Sequence, residues 1–232
     1  MSLVTDEKLK DSVWPSEISN EAAKKAIAQK LVSNLKDGDL VGVGSGSTAF
    51  VTLLELVDAA NNQGISFSIV GTSVEIERAA MSLGVTVVGL GQSQVAWSFD
   101  GADEVDPAGR LIKGRGGAMF REKLLMASSS KAFILADKSK NVGKLGEKFA
   151  VPVEVLPVAI DLARASLESL GATEAPMRAA GGKDGPVVTE YGGVILDVKF
   201  SGDVPSEKDI ESIPGVTSTG LFDRWSYELI DD

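Results

Sequence analysis

The chain has 232 residues, of which 44% are hydrophobic and 24% are charged, and this composition is typical of a globular protein with one large domain or two modest ones. Its net charge is −10 without any block of Lys or Arg, which argues against nucleic acid and anionic lipid surfaces as partners. Because it contains neither cysteine nor histidine, disulfides, thiol nucleophiles, Ser-His-Asp triads and imidazole or thiolate metal ligands are all excluded.

Strands alternate with helices as far as Ala150. The hydrophobic spacing predicts helices over residues 21–35, 48–60, 74–84 and 119–129. Apolar runs bounded by turn residues predict strands within residues 37–44, 65–72, 85–90, 95–100 and 131–137. This order is typical of a doubly wound α/β domain with a mostly parallel sheet, in which ligands bind beyond the carboxyl ends of the strands.

The pattern changes after Ala150. It predicts a strand over residues 151–157, a helix over 159–170, a hairpin-like pair of strands within 187–200 and a short helix over 207–213. Hairpins and single helices are typical of a smaller α+β domain. The tail, residues 218–230, predicts one or two further strands that return to the first sheet. We therefore place a larger domain at residues 1–149 and 223–232 and a smaller domain at residues 150–222.

A glycine-rich turn, Gly44 to Thr48, follows the first strand and opens a helix. The N–H groups of such a turn, the helix dipole and the hydroxyls of Ser47 and Thr48 form an anion site that suits a phosphate. Together with Ala49, the turn also matches the loose dinucleotide pattern G-x-G-x-x-A, but the second strand ends on GTS instead of the acidic residue that holds a ribose. A tight strand-to-helix turn without any ligand is the structural alternative.

Carboxylates are crowded after the strand at residues 95–100, where four fall within seven positions: Asp100, Asp103, Glu104 and Asp106. A solvated turn, a magnesium site and an acid–base site would each explain this crowding. Asp100 stands at the predicted carboxyl end of a strand, where sheets of this kind bind their ligands. We expect Glu104 and Asp106 to be solvated or structural.

The segment LIKGRGGAMFREKLL, residues 111–125, combines a lysine, glycines and a glutamate. Lys113 lies at a predicted strand end, and the glycines that follow it let the backbone approach a ligand closely. Glu122 falls within the first turns of the next helix. Lys113 and Glu122 could face one cavity, and the alternative is that both are solvated surface charges.

Eight motifs occur in an order that closely resembles ribose-5-phosphate isomerase of type A, from about Glu21 to Phe222: GSGST, GTS, DGADEVDP, IKGRGGAMFREK, LADKSK, PVEVLP, VILDV and IPGVTSTGLF. The resemblance implies a cofactor-free interconversion of ribose 5-phosphate and ribulose 5-phosphate through a cis-enediolate, a step of the pentose phosphate pathway. It also implies a doubly wound first domain and a ferredoxin-like second domain. The partner is then a small-molecule sugar phosphate, and we further expect a homodimer or a homotetramer.

The resemblance also implies a set of site residues. Asp100 and Asp103 correspond to the active-site aspartates of the family's DGADE motif. Lys113 corresponds to the lysine that opens its glycine loop, and Glu122 to the glutamate taken as its general base. The positions that would bind substrate or phosphate are Gly44, Ser45, Gly46, Ser47, Thr48, Gly114, Arg115, Gly116 and Lys140. Arg115 stands where the family usually has glycine, which puts close backbone approach at this position in question.

These residue types suit the chemistry. A carboxylate such as Glu122 can carry a proton between C1 and C2, Lys113 and loop amides can hold the enediolate charge without a metal, and Asp100 with Asp103 can open the furanose ring.

Three other classes stay open: a sugar-phosphate sensor without turnover, a magnesium-dependent hydrolase that uses the four carboxylates, and a CoA-transferase with a glutamate nucleophile. We expect neither a metal nor a cofactor. No signal peptide and no apolar run of about 18 residues is visible, so we expect a cytoplasmic location.

Overall fold

A computed structural model describes residues 14, 17–91, 93–182 and 184–231. The larger predicted domain includes residues 1–13, 15, 16, 92 and 232, and the smaller one includes residue 183; these lie outside the described residues. The helices are α1 (Glu21–Val32), α2 (Gly46–Gln63), α3 (Val74–Ser82), α4 (Met119–Ser128), α5 (Ile160–Ser169) and α6 (Glu207–Glu211). Within the described chain, no helix is both long enough and apolar enough to span a bilayer.

The strands are short, and most of their residues are buried. They are β1 (Leu40–Val43), β2 (Ser68–Gly71), β3 (Thr86–Val87), β4 (Trp97–Gly101), β5 (Glu104–Val105), β6 (Leu111–Ile112), β7 (Ala132–Leu135), β8 (Val151–Val155), β9 (Ala172–Glu174), β10 (Val194–Phe200), β11 (Val216–Thr219), β12 (Leu221–Phe222) and β13 (Glu228–Ile230).

The chain divides into two compact units. The first unit comprises Met1–Gly101, Arg121–Ser139 and Ser226–Asp232, and the second comprises Ala102–Phe120 and Lys140–Trp225. The prediction placed residues 102–120, 140–149 and 223–225 in the larger domain, whereas in the structure they lie in the second unit. The reason for the first of these differences is strand pairing, because β5 and β6 pair with each other and β6 pairs with β12. The predicted boundaries therefore stay a proposal for the domains.

A six-stranded parallel sheet with the order β13-β7-β4-β1-β2-β3 forms the first unit. Strand β7 is buried along its whole length, as a central parallel strand covered on both faces should be. Its aromatic and aliphatic side chains join those of β1, β2, β4 and α2 in one apolar core. The predicted return of the tail to this sheet is confirmed, since β13 pairs with β7.

The sheet has a topological switch point between β1 and β4. The chain moves from β1 to β2 and β3 on one side of β1, and β4 then lies on its other side. In doubly wound sheets this switch point opens a crevice at the carboxyl ends of the two strands. Gly44 follows β1 and Asp100 belongs to the last part of β4, so both stand at that end. The predicted fold class is confirmed in this unit.

The four-stranded antiparallel sheet of the second unit has the order β11-β8-β10-β9. With α5 between β8 and β9 and α6 between β10 and β11, the succession is the β-α-β-β-α-β arrangement of ferredoxin-like folds. Alternate strand residues pack on the helices through a second core that includes Val153, Leu167 and Leu196. The predicted ferredoxin-like α+β domain is confirmed.

The expected hairpin within residues 187–200 is wrong in its first half. Only an isolated bridge joins Val188 to Val194, and on that side β10 pairs with β9 at its end and with Met177 through another isolated bridge. The glycines do form a tight turn, in which the Gly192 N–H donates to the Thr189 carbonyl. Val188 is more than half exposed, so the apolar residues before the turn have no core against which to form a strand.

Candidate functional site

The glycine turn of the first unit is shaped by contacts that need the absence of a side chain. A Cβ on Gly44 would lie 2.0 Å from the Cγ of Asp100, so glycine is required for the aspartate to pack there. Gly46, the first residue of α2, has a φ of +83°, a conformation that glycine adopts without a steric penalty. Thr48 packs beside Gly101, where a Cβ would lie 3.6 Å from the Thr48 Cβ. The turn therefore packs the start of α2 against the end of β4.

Ser45 is the N-cap residue of α2, yet its hydroxyl makes no capping hydrogen bond among the described residues. Instead it donates to the Oε1 atom of Glu122, at 3.0 Å. Helix N-termini attract anions through their unpaired N–H groups, and a capping side chain would occupy one of them. The N–H group that a capping side chain would bind is therefore left to another acceptor, and the serine hydroxyl joins the turn to a carboxylate.

Glu122 lies one turn into α4 and is only 3% exposed. The alternative that it is a solvated helix charge is therefore wrong. Its neighbour Arg121 pairs with Glu77 of α3 and donates to the carbonyl of Gly71 at the end of β2, so α4 is anchored to the sheet beside the carboxylate. A carboxylate that is largely shielded from bulk water has the chemistry of a proton acceptor.

Asp100 is 6% exposed and its carboxylate lies against Gly44, while Oδ1 accepts the N–H of Gly101, the last residue of β4, at 2.7 Å. Gly44 contacts Asp100 and Ser45 contacts Glu122, so consecutive residues of the glycine turn touch both carboxylates. The structure thus brings together three of the predicted features of the first unit: the phosphate turn, Asp100 and Glu122.

Lys24 is a residue that the sequence analysis missed. Its ammonium donates to the Ser47 hydroxyl at 2.9 Å and to the Ser19 carbonyl at 2.7 Å, although the residue is only 7% exposed. Lys24 places a positive charge at the start of α2, where the phosphate was expected. A signal was present in the sequence, because Lys24 occupies the same helical stripe as Ile27 and Leu31, where an apolar residue would be usual.

The remaining predicted residues belong to the second unit. Lys113 follows β6 and is 2% exposed, so the alternative of a surface lysine is wrong. Its backbone N–H donates to the Gly220 carbonyl at 2.8 Å, and its ammonium lies 5.5 Å from the centre of the Phe222 ring. A cation over an aromatic face is a favourable contact.

Asp103 and the glycine loop are in contact. The Arg115 N–H donates to the Oδ2 atom of Asp103 at 3.3 Å. Gly114 and Gly117 have φ angles of +86° and +83°, while Asn20 is the single non-glycine residue with positive φ in the described chain. Arg115 therefore needs no glycine-like conformation, and its guanidinium lies over the Phe149 ring. The substitution is compatible with the fold of the loop.

Glu104 and Asp106 are structural, which confirms one half of the expectation for them and excludes the solvated half. Glu104 is fully buried and accepts three backbone N–H groups, from Gly146, Lys148 and Phe149. Asp106 accepts N–H groups and the guanidinium of Arg110. Across the described residues, no three His, Cys, Asp or Glu side chains group in a way that could hold a metal ion.

Lys140 ends a 3-10 turn, Lys138–Lys140, and is half-buried; its phosphate contact stays a prediction.

The chain is similar to one family of known proteins. The family model of ribose 5-phosphate isomerase A (phosphoriboisomerase A) matches residues 68–230. The ribose-5-phosphate isomerase A of Methanocaldococcus jannaschii is 39% identical over 216 residues, which cover 92% of this chain and 95% of that protein.

Solved structures extend the similarity to the fold. A ribose 5-phosphate isomerase A from Methanocaldococcus jannaschii has a TM-score of 0.84 at 37% identity, and the match covers 90% of this chain and 93% of that one. A D-ribose-5-phosphate isomerase in complex with phospho-erythronic acid also has a TM-score of 0.84, at 32% identity, with 92% of this chain and 96% of that one covered.

Proposed function

The chain belongs to the ribose 5-phosphate isomerase A family, and from this premise we propose that it interconverts ribose 5-phosphate and ribulose 5-phosphate. The observation that carries the proposal is the hydrogen bond from Ser45 to Glu122, which attaches a buried carboxylate to a turn built for an anion. A phosphate held by the turn would leave the sugar carbons of the same molecule to the carboxylate. The complex of a related isomerase with phospho-erythronic acid supports a sugar-phosphate substrate.

Glu122 is the base. Moving a carbonyl between C1 and C2 requires that a proton leave one carbon and arrive at its neighbour, and a single carboxylate can do both through a cis-enediolate. Glu122 takes the proton from C2 of the open-chain aldose, holds it as a carboxylic acid and returns it to C1, while the hydroxyl proton on O2 passes to O1, which gives the ketose. Burial keeps bulk water from exchanging with the carried proton.

Lys113 and the amides of the loop at Gly114 to Gly116 stabilise the negative charge that develops on the enediolate oxygen. Donors fixed before the reaction need no reorganisation when the charge appears, so they lower the barrier more than water does. The buried position of Lys113 fits this role, because an ammonium interacts more strongly with an anion where water is excluded.

Asp100 and Asp103 open the furanose ring. Ring opening removes a proton from the anomeric hydroxyl and delivers one to the ring oxygen, so it needs a carboxylate and a carboxylic acid or water on either side. The contacts of Asp100 with Gly44 and of Asp103 with the Arg115 N–H support a fixed position for each carboxylate.

The phosphate binds at the turn formed by Gly44, Ser45, Gly46, Ser47 and Thr48. Lys24 adds a charge there through Ser47, and Lys140 is a second proposed cation. The protein as a whole is negatively charged, so these local donors must provide the affinity for a dianion. We also propose a homodimeric or homotetrameric assembly and a cytoplasmic location, and light scattering of the purified protein tests the first of these.

The experiment that tests the function is direct. The purified chain is incubated with ribose 5-phosphate and the appearance of ribulose 5-phosphate is followed by ketose absorbance or NMR. Formation of the ketose to a constant ratio is expected from either direction. Binding of ribose 5-phosphate without any conversion would favour the sugar-phosphate sensor, and incorporation of the glutamate into a CoA thioester would favour the transferase.

A further inference from the structure

Arg178 belongs to none of the motifs that suggested the site, yet it holds the glycine loop of the second unit. Its Nη1 atom donates to the Gly114 carbonyl at 3.1 Å and to the Arg115 carbonyl at 2.7 Å. Its other nitrogens, Nε and Nη2, pair with the two carboxylate oxygens of Asp197 on β10. One guanidinium therefore ties two consecutive peptide groups of the loop to a strand of the antiparallel sheet.

The position of Arg178 is itself fixed by its backbone. The Arg178 N–H donates to the Ile195 carbonyl, and its own carbonyl accepts the Val187 N–H, both at 2.8 Å. Asp197 lies two residues beyond Ile195 on the same strand. The side chain thus starts from a rigid segment and is held by a bidentate pair, which leaves one nitrogen to reach the loop.

Because the peptide groups are planar, fixing their carbonyls also fixes the N–H groups on the opposite face of the loop. In a trans peptide the C=O and the N–H point in opposite directions, and the bond between them resists rotation. The peptide whose carbonyl is that of Gly114 carries the Arg115 N–H, which points to Asp103. The next peptide presents its carbonyl to Arg178 as well, so the N–H of Gly116 is directed away from the guanidinium.

We propose that Arg178, anchored by Asp197, is a positioning residue that orients the Arg115 and Gly116 N–H groups for catalysis. This inference rests on the proposed function, in which the loop amides stabilise the enediolate and Asp103 serves ring opening. Arg178 does not touch the substrate. It holds the carbonyl ends of the two peptides, so that the Arg115 N–H stays on Asp103 and the Gly116 N–H stays available to the reacting oxygen.

Stability alone does not account for the pair. The side chains of Arg178 and Asp197 are 18% and 29% exposed, and they face a cavity of about 420 Å³ in the second unit. Ion pairs that water reaches contribute little to folding. A lysine would keep the charge but could not replace the guanidinium, because its single nitrogen cannot bind the carboxylate in two places and the two carbonyls as well.

The test uses Arg178→Ala and Arg178→Lys, with Arg164→Ala as the matched control. Arg164 also belongs to the second unit and also donates to a backbone carbonyl, that of Ala175, at 3.2 Å. Three quantities are measured for each protein: kcat with ribose 5-phosphate, the Kd for phospho-erythronic acid and the Kd for inorganic phosphate. The carboxylate of phospho-erythronic acid presents a planar anion to the loop donors, whereas inorganic phosphate does not need them.

We expect Arg178→Ala to lower kcat by roughly a hundredfold, as the loss of a fixed oxyanion donor does in other enzymes, and to weaken phospho-erythronic acid by a similar factor. Its Kd for phosphate should stay within about twofold of wild type, as should all three quantities in Arg164→Ala. Arg178→Lys should stay impaired by about tenfold or more and keeps the test decisive where the alanine variant folds poorly.

Two results would overturn the proposal: wild-type kcat in Arg178→Lys, or equal weakening of phospho-erythronic acid and phosphate in Arg178→Ala. The second result would assign Arg178 to general folding. A failure of the proposed function is recognised separately, because wild-type protein would then convert no ribose 5-phosphate before any variant is compared.

Discussion

Ser45 shows how one side chain can serve two parts of a site. Its position at the N-cap of α2 suits a capping serine, but its hydroxyl donates to Glu122 instead. The hydrogen bond fixes the carboxylate in one orientation, and the N–H groups at the start of the helix remain directed at the crevice. The turn and the proposed base are therefore joined directly, which a reaction on a phosphorylated sugar would require.

Glu122→Gln is expected to abolish most activity without loss of binding. The amide can accept the hydrogen bond from Ser45 but cannot take a proton from carbon, so kcat should fall by roughly 10²- to 10⁴-fold. The Kd for ribose 5-phosphate should change little. Glu75→Gln, at an exposed position in the first turn of α3, is the control and should keep wild-type kcat. Normal turnover in Glu122→Gln would remove this residue from the mechanism.

Lys24→Met tests the phosphate site, with the adjacent Lys25→Met as its control. The Lys24 ammonium contacts Ser47 at the start of α2, whereas that of Lys25 is half-exposed and pairs with Glu55. A hydrogen bond to a charged group contributes about 1.5–3 kcal/mol, so KM for ribose 5-phosphate should rise about tenfold or more in Lys24→Met. It should change less than about twofold in Lys25→Met. Equal effects of the two variants would exclude a specific role for Lys24.

The residues of the site could be predicted from sequence where a motif names them, and not where only a contact does. Gly44, Asp100 and Glu122 stand in recognisable motifs at strand ends or helix starts. Lys24 and Arg178 act through the hydroxyl of Ser47 and the carbonyls of the glycine loop, which are distant in sequence. Sequence periodicity describes one element at a time, and it cannot report which side chain from another element meets it.

At the scale of elements, the acidic segment at and after the end of β4 contains two carboxylates proposed for the site and two that stabilise the fold. Asp100 stays with the glycine turn of the first unit, and Asp103 binds the loop N–H of the second. Glu104 and Asp106 use their oxygens on backbone N–H groups and on Arg110. Like charges are tolerated in this short segment because each carboxylate has its own donors, which is a form of solvation supplied by the protein.

Element prediction succeeded where burial is continuous and failed where a turn decides the pairing. Strands such as β7 are apolar throughout, so their pattern is sufficient. The segment before Gly192 has similar β-branched residues, but Thr189 donates its hydroxyl to Glu154 and helps close the turn through the Gly193 N–H. Most of the edge of β10 that a hairpin would have used is taken by residues 176–178, and its end by β9.

Glu154 on β8, the central strand of the small sheet, should make folding pH-dependent. Burial raises the pKa of this carboxyl above its ordinary value of 4.5, and hydrogen bonds from Thr189 and Thr217 only partly oppose the shift. The folded chain therefore binds more protons than the unfolded chain above about pH 4.5, and the stability from this group is lost as the pH rises through the folded pKa.

Glu154→Gln removes the ionisation, so the free energy of unfolding of the variant relative to wild type should increase from about pH 4 towards about pH 8. Urea unfolding at several pH values measures this difference. Glu174→Gln on β9, a side chain that is 56% exposed, is the control and should show no such trend. A Glu154→Gln difference that is constant with pH would contradict the assignment.

At the scale of the whole molecule, the sign of the net charge is opposite to the charge of the lysines proposed to bind the substrate. The protein has a net charge of −10, yet the residues proposed to meet the substrate include Lys24, Lys113 and Lys140. A repulsive long-range field with local cations favours ligands small enough to enter the crevice and disfavours extended polyanions.

Isomerisation should proceed unchanged in excess EDTA. The chain has no histidine or cysteine to bind a transition metal, and Lys113 with the loop amides can hold the enediolate charge in place of a Lewis acid. Two of the four carboxylates that suggested magnesium are committed elsewhere, because Glu104 and Asp106 accept backbone N–H groups. We expect kcat and KM after EDTA treatment and desalting to agree with untreated protein within about twofold, and added Mg²⁺ to have no effect. Activity that is lost on chelation and restored by Mg²⁺ would contradict the proposed mechanism and return the metal-dependent alternative.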